Sequence, residues 1–156
     1  ALNIANAKVN LSFTEGVIRG ILCNILVCLA VWLCVSGRSV IDKILAIVFP
    51  ITAFVASGFE HSIANMYFIP LGLLLKGEPE VLTAAGKVAG DLINLNLQGF
   101  ANNLIAVTTG NIFGGGFMVA AAYWFIYRRP QETSSVPSSE EVKAAKVTTA
   151  NPVQRT

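Results

Sequence analysis

Phe59-Glu60-His61-Ser62-Ile63-Ala64-Asn65-Met66 sets a carboxylate and the chain's single histidine in the middle of an apolar run. Between Lys43 and Lys76 no other charged or readily titratable side chain occurs. A straight helix over positions 44–75 would measure about 48 Å, against a hydrocarbon core of about 30 Å. The same stretch holds Pro50, Gly58, Asn65 and Pro70. A break near Ser57–His61 resolves both the excess length and the polar interruption, and leaves two half-helices. Broken backbone at membrane depth needs a polar or wet lining to satisfy its freed groups, and such interrupted helices line ion and substrate sites. An ionisable pair there reads as a functional site with a partner to be found. The plainer alternative is a histidine hydrogen-bonded to a neighbouring carbonyl.

Working outward, the apolar pattern continues on both sides. The chain is 54% hydrophobic and 13% charged, where a soluble domain carries nearer ~25% charged residues. Val17 to Gly37 contains only Arg19, and Leu92 to Tyr127 contains no Lys, Arg, Asp, Glu or His. These spans predict transmembrane helices over roughly Thr14–Val35 and Ala101–Tyr127. Ser12 or Thr14 is the expected cap of the first, with Glu15 on its positive end and Gly37 near its close. The fold class expected is therefore an all-α integral membrane protein with three spans, the middle one broken. Gly110 and Gly114 form a GxxxG pair, read as a helix-packing surface. Cys23, Cys28 and Cys34 match neither a metal pair nor a redox motif and read as packing or lipid-facing residues. No cofactor or metal site is expected, and no basic stripe with interleaved aromatics supports nucleic-acid binding.

Positive charge sets the expected orientation. Arg38 and Lys43 follow the first span, and Arg128 and Arg129 follow the third, whereas Lys76 and Lys87 in the connector are offset by Glu78, Glu80 and Asp91. The positive-inside rule places the C-terminus in the cytoplasm. Residues 1–11 lack a signal-peptide pattern. An odd number of spans beginning outside, with no initiator Met, predicts a fragment or processed product whose N-terminal half is absent. Residues 130–156, rich in Ser, Thr, Ala and Pro, are expected to form a disordered cytoplasmic tail.

The chemistry follows from the polar residues at depth. Asn24, Val27, Cys28 and Val31 share one face of the first span, and Asn24 needs a partner there: a neighbouring helix, or the same wet site as His61. In helical register, Phe54, Gly58, His61 and Asn65 share a stripe, giving an aromatic plug, a flexible joint, a titratable donor and an amide in succession. Apolar constrictions with one imidazole suit a small monovalent anion, to which the ring donates a hydrogen bond or a proton. Glu60 is expected to orient His61 or to cap a half-helix end rather than face the anion.

Ala56-Ser57-Gly58-Phe59-Glu60-His61-Ser62-Ile63-Ala64-Asn65-Met66 resembles the signature of the formate/nitrite transporter family, most closely its formate channels. Asn24 to Trp32, Ser36 to Ser39, Asn103 to Ile105, Gly110 to Ile112, Gly114 to Gly116 and Tyr123-Trp124 extend the likeness over roughly Lys8–Arg129. Ala106 stands where many members carry proline. The resemblance implies residues 1–129 as the C-terminal half of a six-span, inverted-repeat, aquaporin-like channel of the bacterial inner membrane, assembled as a homopentamer. It implies that His61 is the central pore histidine, Phe54 part of an apolar constriction, Asn24 and Val27 pore-lining, and Lys8 an attractor of anions to the outer vestibule. Glu60, Asn65, Asn111 and Gly58 would support the histidine and the broken-helix loops.

The function expected is a channel for formate and related small anions, with possible proton coupling and no enzymatic activity. The alternatives are a nitrite or hydrosulfide channel on the same scaffold, or a three-span membrane anchor of a redox complex. For the anchor, one histidine rules out bis-histidine haem ligation within the chain, leaving Met66 or a partner to complete it. No nucleophile motif frames Ser57 or Ser62, which argues against an intramembrane hydrolase.

Overall fold

The computed structural model describes residues 1–128, all of whose regular elements are helical. The expected tail at 130–156, and Arg129, lie outside the described residues. In chain order the helices are α1 (Leu2–Val9), α2 (Phe13–Ser36), α3 (Val40–Ala56), α4 (Ser62–Leu75), α5 (Pro79–Ala85) and α6 (Leu97–Arg128). A short 3₁₀ turn, Ala89–Leu92, precedes α6. Two helices, α2 and α6, are long and apolar enough to cross a membrane, and α4 is a shorter apolar helix.

Local chemistry sets the helix ends. Ser12, not Thr14, caps α2: its hydroxyl accepts the Glu15 amide at 3.3 Å. Ser39 and Asp42 form a reciprocal capping box that starts α3 directly after the α2 turn. Asn96 caps α6 by accepting from the Gly99 amide at 2.8 Å. α6, the expected third span, therefore begins at Leu97 rather than near Ala101, because a polar cap outweighs the point where the apolar run becomes dense.

α2 and α6 lie side by side and run in the same direction, as paired contacts from Gly16 against Ala106 to Trp32 against Tyr123 require. Glycine makes this approach possible. A Cβ on Gly110 would strike the Val17 carbonyl, and one on Gly114 the Ile21 carbonyl. The GxxxG pair is thus a packing surface, and it meets a second one that the sequence reading missed, Gly16 and Gly20 on α2. A Cβ on Gly20 would lie 2.7 Å from the Val107 carbonyl. Immediately past this contact, α6 widens to π-helical geometry over Ile112–Val119, where Gly114 and Gly115 meet Ile21 and Asn24. Substituting Gly110 by Ala is expected to destabilise the protein by about 1–3 kcal/mol through overpacking against rigid backbone. Gly77→Ala, which meets nothing within 4 Å, should leave the thermal midpoint in detergent unchanged.

α1 crosses the other side of the bundle and packs on α4. Leu2, Ala5, Ile69, Leu92 and Leu95 form the buried apolar cluster there, and Gly72 admits Ala5 at backbone distance. Lys76 closes this end by donating to the Leu95 carbonyl at 2.9 Å. Elsewhere the helices present apolar side chains outward: Val35 is 79% and Ile112 66% exposed. A water-facing surface of that kind is unfavourable, whereas lipid or further protein would satisfy it.

Candidate functional site: a clamped helix break

The break between α3 and α4 falls at Ser57–His61, where the sequence places it. Its cause is local. Gly58 adopts φ +66°, a left-handed conformation that glycine takes without steric cost. The Phe59 amide then reaches back to the Phe54 carbonyl at 3.0 Å and the helix stops.

The freed polar groups are met by residues from two other helices. Arg19 of α2 donates its guanidinium to the Gly58 carbonyl at 3.3 Å, and its own carbonyl accepts the Glu60 amide at 3.3 Å. Asn111 of α6 does three things at once. Its Nδ2 donates to the Gly20 carbonyl at 2.8 Å and to the Glu60 carbonyl at 3.0 Å, while its Oδ1 accepts the Ser62 amide at 3.0 Å. One 7%-exposed side chain therefore ties α2, the break and the start of α4 together. Removing it strands the Glu60 carbonyl and the Ser62 amide, each worth about 1–3 kcal/mol when buried without a partner, and takes the extra bond from the Gly20 carbonyl, which stays inside α2. Asn111→Leu is accordingly expected to lower the thermal midpoint sharply, and more than Asn102→Leu on the exposed side of the same helix.

His61 is the N-cap of α4. Its Nδ1 accepts the Ala64 amide at 3.4 Å, which places the proton of the neutral ring on Nε2. Nε2 has no hydrogen-bond partner among the described residues. The ring is not bonded to a neighbouring carbonyl, the plainer of the two readings of the sequence. Phe54 stacks against it, with centroids 6.0 Å apart and planes 26° apart. The aromatic plug and the imidazole thus stand together in spite of the break that separates their helices.

Glu60 neither orients His61 nor caps a helix, contrary to both roles expected of it. Its carboxylate accepts from Lys8 at 2.9 and 3.0 Å and from Asn65 Nδ2 at 2.6 Å. The cap role belongs to His61 itself, and the carboxylate points to the α1 side. Lys8 is correspondingly not a free cation: its side chain is 15% exposed and its ammonium is paired with Glu60. Nothing in local sequence links positions 8 and 60; the packing of α1 on α4 brings them together. Asn65 donates also to Asn103 Oδ1 at 2.7 Å, and Asn103 donates to the Lys8 carbonyl at 2.8 Å. With two acceptors facing its amide nitrogen, the Asn65 orientation is fixed, and its Oδ1 is buried without a partner among the described residues.

Asn24 follows the first of its two expected options. Its amide donates to the Asn111 carbonyl at 2.6 Å, across the glycine contact with α6. Val27 is half-buried one turn further along α2. The residues missing from the sequence reading of the site are Asn103 and Arg19. A signal for Asn103 was present: Asn103, Val107, Gly110 and Asn111 fall on one helical face, so an amide sits at each end of an otherwise small and apolar stripe.

A family model described as "Formate/nitrite transporter" matches residues 1–125. The chain is 48% identical over 134 residues to the formate channel FocA of Escherichia coli (strain K12), covering 84% of this chain and 47% of that protein. It is 48% identical over 126 residues to a probable formate transporter of Methanothermobacter thermautotrophicus, covering 80% of this chain and 40% of that one. Among solved structures, one described as a pentameric formate channel with formate bound superposes with a TM-score of 0.74 at 43% identity, over 82% of this chain and 51% of that chain. The chain spans about half the length of the curated relatives it matches.

Proposed function

This chain belongs to the formate/nitrite transporter family, and from that premise we propose that it supplies one half of a channel for formate and related small monovalent anions. In this reading α2, the α3–α4 pair and α6 are three membrane spans with the middle one broken. They correspond to the fourth to sixth spans of a six-span, inverted-repeat protomer within a homopentamer. The setting is a bacterial inner membrane, with the C-terminus on the cytoplasmic side by the distribution of Arg38, Lys43 and Arg128.

The observation that carries the reading is the pairing of Phe54 with His61 beside a fully clamped break. The clamp matters because a permeating anion sheds water at an apolar constriction and needs one fixed donor in return. His61 Nε2–H is such a donor, held in place by the Nδ1 cap. A carboxylate beside it would repel the anion, and the Lys8 pair neutralises Glu60 while turning it away. The proposed roles of Phe54 and Val27 are apolar lining; Asn24, Asn65, Asn111 and Gly58 hold the frame. Proton exchange at the imidazole supplies the proposed coupling to pH.

Flux into proteoliposomes bearing the full-length polypeptide tests this. Formate is expected to enter faster than into empty vesicles, and to outpace nitrite and hydrosulfide at equal concentration. Formate entry no faster than into empty vesicles would remove the proposal, and a higher rate for nitrite or hydrosulfide would reassign the substrate on the same scaffold.

A further inference from the structure

We propose that Arg19 is a specificity-determining residue of the permeation path, setting the anion preference of the break by cancelling the negative end of α3; this rests on the channel reading above. A helix break brings two helix ends of opposite sign to one gap. α4 starts after His61 and offers its positive, amide-bearing end, which favours an anion. α3 stops at Ala56 and offers its negative, carbonyl-bearing end. That end repels the anion that the His61 Nε2–H is there to receive. Two of the last α3 carbonyls are met by amides: Phe54 and Val55 accept from Phe59 and Gly58 at 3.0 and 3.1 Å. The Gly58 carbonyl, further out, is met by a full positive charge instead, the Arg19 guanidinium at 3.3 Å.

Arg19 is placed for this by its own backbone, whose carbonyl accepts the Glu60 amide at 3.3 Å. α2 therefore touches the break at the very residue whose side chain returns to it. Three residues of fully extended chain span at most about 11 Å, which bounds the separation of Gly58 from His61 along the backbone. A unit charge at about that range, in an effective dielectric of about 20, changes the local concentration of an anion roughly tenfold. Lys8 cannot do this, because its ammonium lies on the Glu60 carboxylate at 2.9 Å and the two charges cancel. Arg19 has an acid of its own, Glu15 at 3.0 Å, but the arrangement differs. Glu15 stands one turn nearer the start of α2, its second oxygen accepts the Ser12 hydroxyl at 3.4 Å, and the guanidinium bridges from it to the break. The opposing charge thus acts from the farther side and, at 51% exposure against 38%, is the more screened of the two.

The test measures initial influx of subsaturating formate into proteoliposomes bearing the full-length polypeptide. It is run at about 0.01 M and about 1 M ionic strength, between which the Debye length falls from about 30 Å to about 3 Å. Arg19→Gln is expected to slow influx about tenfold at the lower ionic strength and to approach the parent at the higher. Arg19→Lys keeps the charge and should stay within about twofold of the parent. Glu15→Gln should act in the opposite direction and raise influx about threefold at low ionic strength, since it removes the opposing charge. A guanidinium that merely braced the helices would give the reverse sign there, because losing Glu15 loosens the brace. Arg19→Gln with the parent's rate and salt dependence, Arg19→Lys as slow as Arg19→Gln, or Glu15→Gln slower than the parent would each overturn the proposal. If Arg19→Gln does not assemble, Glu15→Gln still decides, because it leaves the Arg19–Gly58 bond in place. Parent influx no faster than into empty vesicles would remove the channel reading itself; with parent influx intact, only the role of Arg19 falls.

Discussion

Replacing His61 by Asn is expected to flatten the pH dependence of anion flux and to slow it by about a hundredfold, the lower end of what a positioned proton donor contributes. The substitution is chosen for what it preserves. His61 holds the start of α4 through Nδ1, and Asn is among the best residues at an N-cap. Folding and assembly should therefore survive while the Nε2–H donor and its proton exchange are lost. His61→Phe removes the cap as well, costing about 1 kcal/mol more in stability. The measurement is initial flux between about pH 5 and 8, the window in which an imidazole changes charge. A variant with Asn at position 61 that keeps the parent's rate and pH profile would show that the ring serves only as a cap.

The second large effect concerns the Lys8–Glu60 pair. Lys8→Met should destabilise the protein by about 3–5 kcal/mol, because it leaves a buried carboxylate with Asn65 as its remaining side-chain donor. Glu60→Gln should cost less: the Lys8 side chain is 15% exposed against 6% for that of Glu60, so the lysine is the nearer of the two to water. Combining the two substitutions should recover most of the loss, since no charge is then buried unpaired. Thermal midpoints of the four proteins in one detergent decide the matter. If the double variant is as unstable as Lys8→Met alone, the coupling assigned to the pair does not exist.

Both predictions depend on features that were unequally legible beforehand. The position of the break was readable, because glycine in a run too long for one bilayer crossing, followed by two ionisable groups, has few helical solutions. The GxxxG surface of α6 was readable for the same reason: spacing by four puts two missing side chains on one face. Its counterpart on α2, Gly16 and Gly20, carries the same spacing and passed unread beside the more conspicuous glycine triplet at Gly114–Gly116. α2 begins one residue and α6 four residues before the expected starts, since the side-chain caps Ser12 and Asn96 fix those starts more finely than hydropathy does.

The chain's own residues thus determined a membrane-type, all-helical organisation, a break at Gly58 and a lone imidazole beside it, because periodicity, glycine freedom and charge scarcity act over short distances along the sequence. Only the tertiary structure decided which distant groups meet the break. Glu60 turns to Lys8, and Asn111 ties α2, the break and α4 together, because these partners lie 49 to 91 residues apart and meet only after α1 packs on α4 and the glycine faces bring α6 against α2, whereas the His61 cap on Ala64 is local. Hydrogen-bond demand at a break is visible in one dimension; the groups that meet it are chosen in three.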